Sequence, residues 1–371
     1  MIPTQRDYSL IGQDAQLAVN SGLTAAEWYR CDIPRKRMKE LMQRRDGPAL
    51  RDTAIWFAVL IACAGGAIAL WGSFWCVPFF LVYGVFYGSA SDSRWHECGH
   101  GTAFKTRWMN DAVYAIACFF ILREPTIWRW SHTRHHTDTI IVGRDPEIAA
   151  MRPPAIGTML LNIFAIASTW NSLRHIVLHA TGRLSAEEKT FVPESEWPKV
   201  FLLARCWLVL LLAPIALSLA LHSWLPVMLF GVLPTMYGGW LSLYFGLTQH
   251  AGLAENVLDH RLNSRTVYMN PVFRFIYWNM NYHVEHHMFP MVPYHALPEL
   301  HKAMLADTPK PYSGTLQAYR EILPALMRQL KDPEHFVHRI LPGTARPYRP
   351  DLHGEVVMPD DPRAALAGHH H

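Results

Sequence analysis

Eight histidines in this chain fall into three short clusters, His96-Glu97-Cys98-Gly99-His100, His132-Thr133-Arg134-His135-His136 and His283-Val284-Glu285-His286-His287. In a helix, residues three and four apart share a face. His96 and His100 are four apart, and the other two clusters set their histidines at i, i+3 and i+4. If helical, each cluster aims its imidazoles one way. Imidazole ligates iron, zinc and copper, so the chemistry indicated is metal binding. A ninth histidine, His250, follows an apolar stretch by three residues and is expected to join the others. Nine imidazoles are too many for one metal but suit two metals of four or five ligands each.

Metal-bound histidines usually donate their second ring N–H to a carboxylate, which fixes the tautomer. Glu97, Asp138, Asp145, Glu147 and Glu285 lie in or beside the clusters and are expected to serve this way. One H-x-x-x-H alone is more often a pair of ordinary interfacial histidines. Three clusters, two with the same H-x-x-H-H spacing, are not. His175 and His179 are also four apart but lack the double histidine, so they are not placed with the ligands. His222, His260, His295, His301, His335, His338 and His353 read as surface or loop histidines. The six cysteines form no C-x-x-C pair, which argues against a thiolate zinc site or an iron–sulfur cluster.

The elements that must position these residues are apolar. Only 17% of residues are charged, against about 25% in soluble proteins, so a membrane protein is expected. The net charge of +4 gives no reason to expect nucleic-acid binding. Residues 54–71 and 73–90 are uncharged runs, and 200–221 and 224–247 are apolar apart from Arg205. A span needs about twenty apolar residues. These four runs are therefore expected to be membrane helices in two hairpins, turning at Gly72 and at His222-Ser223. Pro214 and Pro234 should kink the second pair. The shorter apolar runs at 112–122 and 159–170 are expected to be re-entrant or interfacial helices.

Eight lysines and arginines crowd residues 30–51, and the links at Gly72 and His222-Ser223 carry none. The positive-inside rule then puts both termini and the clusters in the cytoplasm. The expected fold is an all-α integral membrane protein, its four helices capped by a cytoplasmic helical layer that carries the clusters. Residues 1–50 form a polar arm, 51–300 the catalytic body and 301–368 a C-terminal cytoplasmic segment. No cleavable signal peptide is expected in the polar first forty residues. His369–His371 read as the stump of a purification tag.

Across roughly residues 75–300 the sequence resembles the membrane fatty-acid desaturase and hydroxylase superfamily. His96-Glu-Cys-Gly-His-Gly-Thr-Ala-Phe104 resembles the first histidine box of plant-type acyl-lipid desaturases. His132-Thr-Arg-His-His-Thr137 resembles the second, and His283-Val-Glu-His-His-Met-Phe-Pro290 the third. His250 matches the family's additional ligand after the fourth helix. The resemblance implies a helical bundle holding two iron ions, with O2 as co-substrate. It implies removal of hydrogen from an unactivated C–H bond, giving an alkene or an alcohol. The default substrate is a fatty acyl chain, and the alternative is a small polar or amino-acid-like molecule. Trp128 and Trp130 precede the second box and read as interfacial anchors. No four-cysteine motif or fused redox segment is seen. A separate ferredoxin with its reductase, or a cytochrome b5-like protein, is therefore implied as electron donor, steered by Arg129, Arg134, Arg144 or the Arg30–Arg51 run.

Two other classes compete. His96-Glu97-Cys98-Gly99-His100 also fits H-E-x-x-H, the zinc-protease motif. That reading leaves the other two clusters unexplained, and the apolar runs offer no Asp as third ligand. A metal transporter would carry ionisable residues within its spans, whereas here the histidines stand outside nearly clean ones.

Overall fold

The computed structural model describes residues 6–348, all of whose regular elements are helical. Two isolated bridges, Thr266 to Tyr282 and Val267 to Tyr312, tie loops together. His353, His369–His371 and residues 349–368 of the expected C-terminal segment lie outside the described residues.

Three helical runs are long and apolar enough to cross a membrane: Arg35–Ala69, Phe74–Gly99 and Glu194–Ala220. The first contains helix α1 (Asp46–Ala69), and the second is α2 (Phe74–Gly99). They turn back on each other at Gly72, whose φ of 87° favours glycine. Phe74 and Ile61 are 90% and 71% exposed, which suits a lipid-facing surface rather than water.

α2 changes character along its length. Its first half is apolar; from Ser91 it turns polar, and residues 93–98 are all buried. Residues Val85–Ser89 form a π-helical turn, a local widening that frees backbone groups. The Trp56 indole of α1 donates to the Phe86 carbonyl there at 2.8 Å. The polar end of α2 packs on α3 (Arg107–Phe120), and α4 (Pro125–Thr137) follows. α5 (Ile166–Ala180) lies along α6 (Trp197–Ala220).

The apolar run at 159–170, expected to be re-entrant or interfacial, belongs to a helix pair, Ile156–Phe164 and Ile166–Ala180, bent by 82° at Ala165, the form of a re-entrant loop or of a broken span. The run at 224–247 is not the single helix expected. It breaks into Leu225–Leu229, α7 (Val232–Gly238) and α8 (Trp240–His250). The cause is Gly231, held at φ 87°, ψ −129°, a conformation foreign to a helix. Pro226 and Pro234 sit near the start of their segments, where a missing N–H costs little.

α7 crosses α2 at glycines. A Cβ on Gly88 would stand 2.9 Å from the Gly238 carbonyl carbon and 3.0 Å from the Gly239 nitrogen. Both are backbone atoms and cannot swing aside. Small residues of this kind let membrane helices approach closely. Ser89 fastens the crossing, donating to the Gly238 carbonyl at 2.6 Å and accepting from the Ser242 amide at 3.0 Å. Gly88→Ala is expected to cost about 1–3 kcal/mol by overpacking, read as a lower melting temperature in detergent. An unchanged melting temperature would show that the helices can part at no cost. Beyond the crossing the chain runs through α9 (His283–Met288) to α10 (Thr315–Gln329).

Candidate metal centre

The clusters sit where helices end. His96 lies in the last turns of α2, and His100 is its C-cap. α4 starts at Pro125, preset for a first turn, and the Glu124 carboxylate caps it by accepting from the Ile127 amide at 2.6 Å. Two to three turns on, the helix presents His132, His135 and His136. His250 ends α8, and α9 carries His283, His286 and His287.

The four segments converge. His96, His100, His132, His136 and His286 bring one ring nitrogen each within 4.8 Å of one another, and so do His135, His250, His283 and His287. These two sets contain all nine histidines expected to act together, five in one and four in the other. Nε2 atoms face one another across His132–His100 at 3.1 Å, His286–His136 at 3.1 Å, His283–His250 at 2.9 Å and His287–His283 at 3.0 Å. Two ligands at right angles, each about 2.1 Å from a shared metal, stand about 3.0 Å apart.

On three of these rings, and on His135, the opposite nitrogen shows why Nε2 carries a lone pair, whereas Nδ1 of His96, His136, His283 and His286 is buried without a hydrogen-bond partner. His132 Nδ1 meets Glu147 at 3.0 Å and His135 Nδ1 meets Asp145 at 2.8 Å. Neither carboxylate can donate when ionised, so the imidazoles do. His250 Nδ1 donates to the Asn263 carbonyl at 2.7 Å. Thr139 gives its hydroxyl proton to the His135 carbonyl and faces His287 Nδ1 at 3.2 Å with a lone pair. One proton per neutral ring then leaves Nε2 bare. Several bare nitrogens pointing together repel unless a cation sits among them, so the donor set fits two metal ions.

Burial holds His132, His136, His283, His286 and His287 well below the usual imidazole range and pushes His250 down to about 3. Burial acts on His135 as well, but the Asp145 carboxylate outweighs it and raises the value. Neutral imidazole is the form a metal takes.

The five acidic residues expected to support the histidines divide. Asp145 and Glu147 do so directly. Glu97 is fully buried with one oxygen 3.4 Å from His286 Nδ1 and 3.7 Å from His96 Nδ1. Its other oxygen accepts from the Tyr294 amide and the Thr102 hydroxyl. Asp138 instead holds Arg134 and Arg144 at 3.3 and 3.2 Å, because its side chain leaves the end of α4 away from the rings. Glu285 faces the back of α9, where it pairs with His301 and accepts from Thr266 at 2.6 Å.

His301 and His260 are not the surface histidines that the sequence suggests. His301 is buried between Glu285 and the Tyr268 hydroxyl. His260 is buried and stacked on Trp28 with ring centres 4.3 Å apart, and lies 5.2 Å from His287. Thr139 and Asn263 escaped sequence reasoning. Thr139 stands four residues after His135 and was legible from helical spacing. Asn263 acts through its backbone carbonyl, for which side-chain identity carries no signal.

Loss of a carboxylate behind a ligand histidine typically costs 10–100-fold in metal affinity or activity. Glu147→Ala, which frees His132 Nδ1, is expected to fall in that range in a chelator competition assay. An unchanged affinity would show that the Glu147 contact does not orient His132.

The sequence profile of fatty acid desaturases matches residues 72–319. A probable fatty acid desaturase of Sorghum bicolor is 28% identical over 291 residues, 73% of this chain and 71% of that one. An endoplasmic-reticulum acyl-lipid omega-3 desaturase (cytochrome b5) of Arabidopsis thaliana is 25% identical over 272 residues, 66% of this chain and 68% of that one. An sn-1 oleoyl-lipid 12-desaturase of Anabaena variabilis is 23% identical over 293 residues, 77% and 71%.

Proposed function

This chain belongs to the fatty acid desaturase family, and from that premise we propose that it introduces a double bond into a fatty acyl chain using O2 and two irons. It is an oxidoreductase of membrane lipid metabolism. The observation that carries the reading is the convergence of nine imidazoles in two sets at the ends of apolar helices. The overall change removes two hydrogens: –CH2–CH2– plus O2, two electrons and two protons gives –CH=CH– and two waters.

Two irons bound by these histidines would supply O2 reduction and hydrogen abstraction. The chain's own residues do the rest. Asp145, Glu147, Thr139 and the Asn263 carbonyl keep the Nδ1 protons in place, so that Nε2 of each ring stays available. The rings are held by packing rather than by loops: Trp95 stands edge-on to His96 and His132, with ring centres 5.6 and 5.1 Å away. Six of the nine rings are buried and His100, His136 and His250 half-buried, which limits the bulk water reaching the cluster and protects a strong oxidant from side reactions. The zinc-protease reading would aim Glu97 at an open metal position. Here its carboxylate is engaged by Tyr294, Thr102 and the neighbouring histidines.

The nine histidines are proposed as the ligands, with Asp145, Glu147 and Glu97 orienting them. The cap is proposed to lie in the cytoplasm, a reading that the basic run at residues 30–51 supports. The proposed topology has α1 and α2 as one hairpin, and α6 with the broken 224–247 stretch as the second, within the body at 51–300. A C-terminal reporter is expected to be active inside the cell; activity on the outer face alone would contradict this orientation. A separate one-electron donor of the ferredoxin or cytochrome b5 class supplies the electrons. Arg134 and Arg144 share Asp138, and Arg129 pairs with Asp111 at 3.2 Å. Within the Arg30–Arg51 run Arg37 and Arg51 are paired as well, with Glu40, Glu299 and Asp52, so the other cations of that run are the better candidates for steering the donor.

The test is product analysis by mass spectrometry of the lipids made when the purified, iron-loaded protein receives a ferredoxin–reductase pair and membrane lipids. A product two mass units lighter, formed only with donor and O2, is expected. A product sixteen units heavier means hydroxylation, and change confined to polar metabolites means a small substrate.

A further inference from the structure

We infer that His175, His179 and Glu188 form a separate site for a single divalent cation of the zinc class. This goes beyond the desaturase reading and does not depend on it. α5 carries the two histidines four residues apart, hence on one face. The short turn Glu188–Thr190 brings the carboxylate against both. His175 Nδ1 lies 2.8 Å and His179 Nε2 3.0 Å from the same oxygen, Glu188 Oε1, as N–H donors whose protons a cation would displace. The three donor atoms lie within 4.8 Å of one another, and the set shares no residue with the nine-histidine centre.

The carboxylate is fixed from behind. Its Oε2 accepts from the Ser185 amide at 2.8 Å and the Ser185 hydroxyl at 2.9 Å, which leaves Oε1 aimed at the histidines. Such support is what a metal-ligating carboxylate needs. His179 and Glu188 are buried at 1% and 5% exposure, while the His175 side chain, 25% exposed, stands at the rim.

A second, independent observation is Glu124, whose Oε1 is buried without a hydrogen-bond partner. Glu124 is only 3% exposed, and it lines the same cavity of about 550 Å3 as His175, His179 and Glu188. A buried carboxylate oxygen without a donor is costly. A cation at the three ligands, completed by water, brings hydrogen-bond donors into the cavity that this oxygen lines. Two imidazoles and one carboxylate with an open fourth position are a zinc ligand set; calcium and magnesium prefer oxygen alone.

The test counts zinc bound per chain after dialysis of the full-length protein in detergent, by elemental mass spectrometry. Glu188→Gln and His175→Asn are each expected to bind one equivalent fewer than the wild type. His283→Ala, which cuts the other centre, is expected to keep the equivalent that Glu188→Gln loses. Equal zinc in wild type and both variants overturns the site. If Glu188→Gln loses all its metal through misfolding, the more exposed His175→Asn decides: one equivalent lost supports the site, none lost overturns it. Failure of the nine-histidine reading shows separately, as a zinc count unchanged by His283→Ala.

Discussion

Replacing His283 or His135 by alanine is expected to abolish turnover and to remove metal from the nine-histidine centre. Both belong to the set completed by His250 and His287. His283 is the hub of that set, with its Nε2 2.9 Å from that of His250 and 3.0 Å from that of His287. His135 is held by Asp145, which pins its ring from the other side. Removing either leaves three imidazoles and a hole the size of a ring. Partial replacement by water cannot restore a ligand pre-aligned by packing. The control is His222→Asn, at an exposed turn with φ 48°, a conformation asparagine tolerates; it is expected to keep metal and turnover. Full activity in His283→Ala or His135→Ala would remove these residues from the ligand set.

Zinc-filled protein is expected to be folded and inactive, the second large effect. Zinc binds imidazole sites at least as well as ferrous iron does, and the lone pairs that face one another here accept either. Zinc has no redox states to cycle, so the same rings around it cannot reduce O2. Turnover should return on exchange of zinc for iron, in proportion to iron content. Normal rates from iron-free, zinc-loaded protein would rule out a redox role for the metal.

The histidine spacing made most of the site legible. H-x-x-H-H can only aim its rings together in a helix, and α4 and α9 are helices there. His250 was legible from its distance to the preceding apolar run. The partners behind the rings were legible only where they lay close in sequence, as Asp145 and Glu147 do to the second box. Asp138 lies closer still, yet it leaves the helix end towards two arginines. Glu285 is inside the third box but on its far face, and which face a six-residue helix buries depends on contacts made by His301 and Thr266.

The membrane body was legible as apolar length. The break at Gly231 was not, because glycine is common within membrane helices and only its positive φ marks the interruption. His260 and His301 looked like loop residues because their partners, Trp28 and Tyr268, are remote in sequence.

The most direct test of the central claim is anomalous X-ray scattering at the iron edge from crystals of the iron-loaded protein. Two peaks are expected. One lies among His96, His100, His132, His136 and His286, and the other among His135, His250, His283 and His287. A single peak, or iron bound away from these rings, would contradict a two-metal centre built by nine histidines.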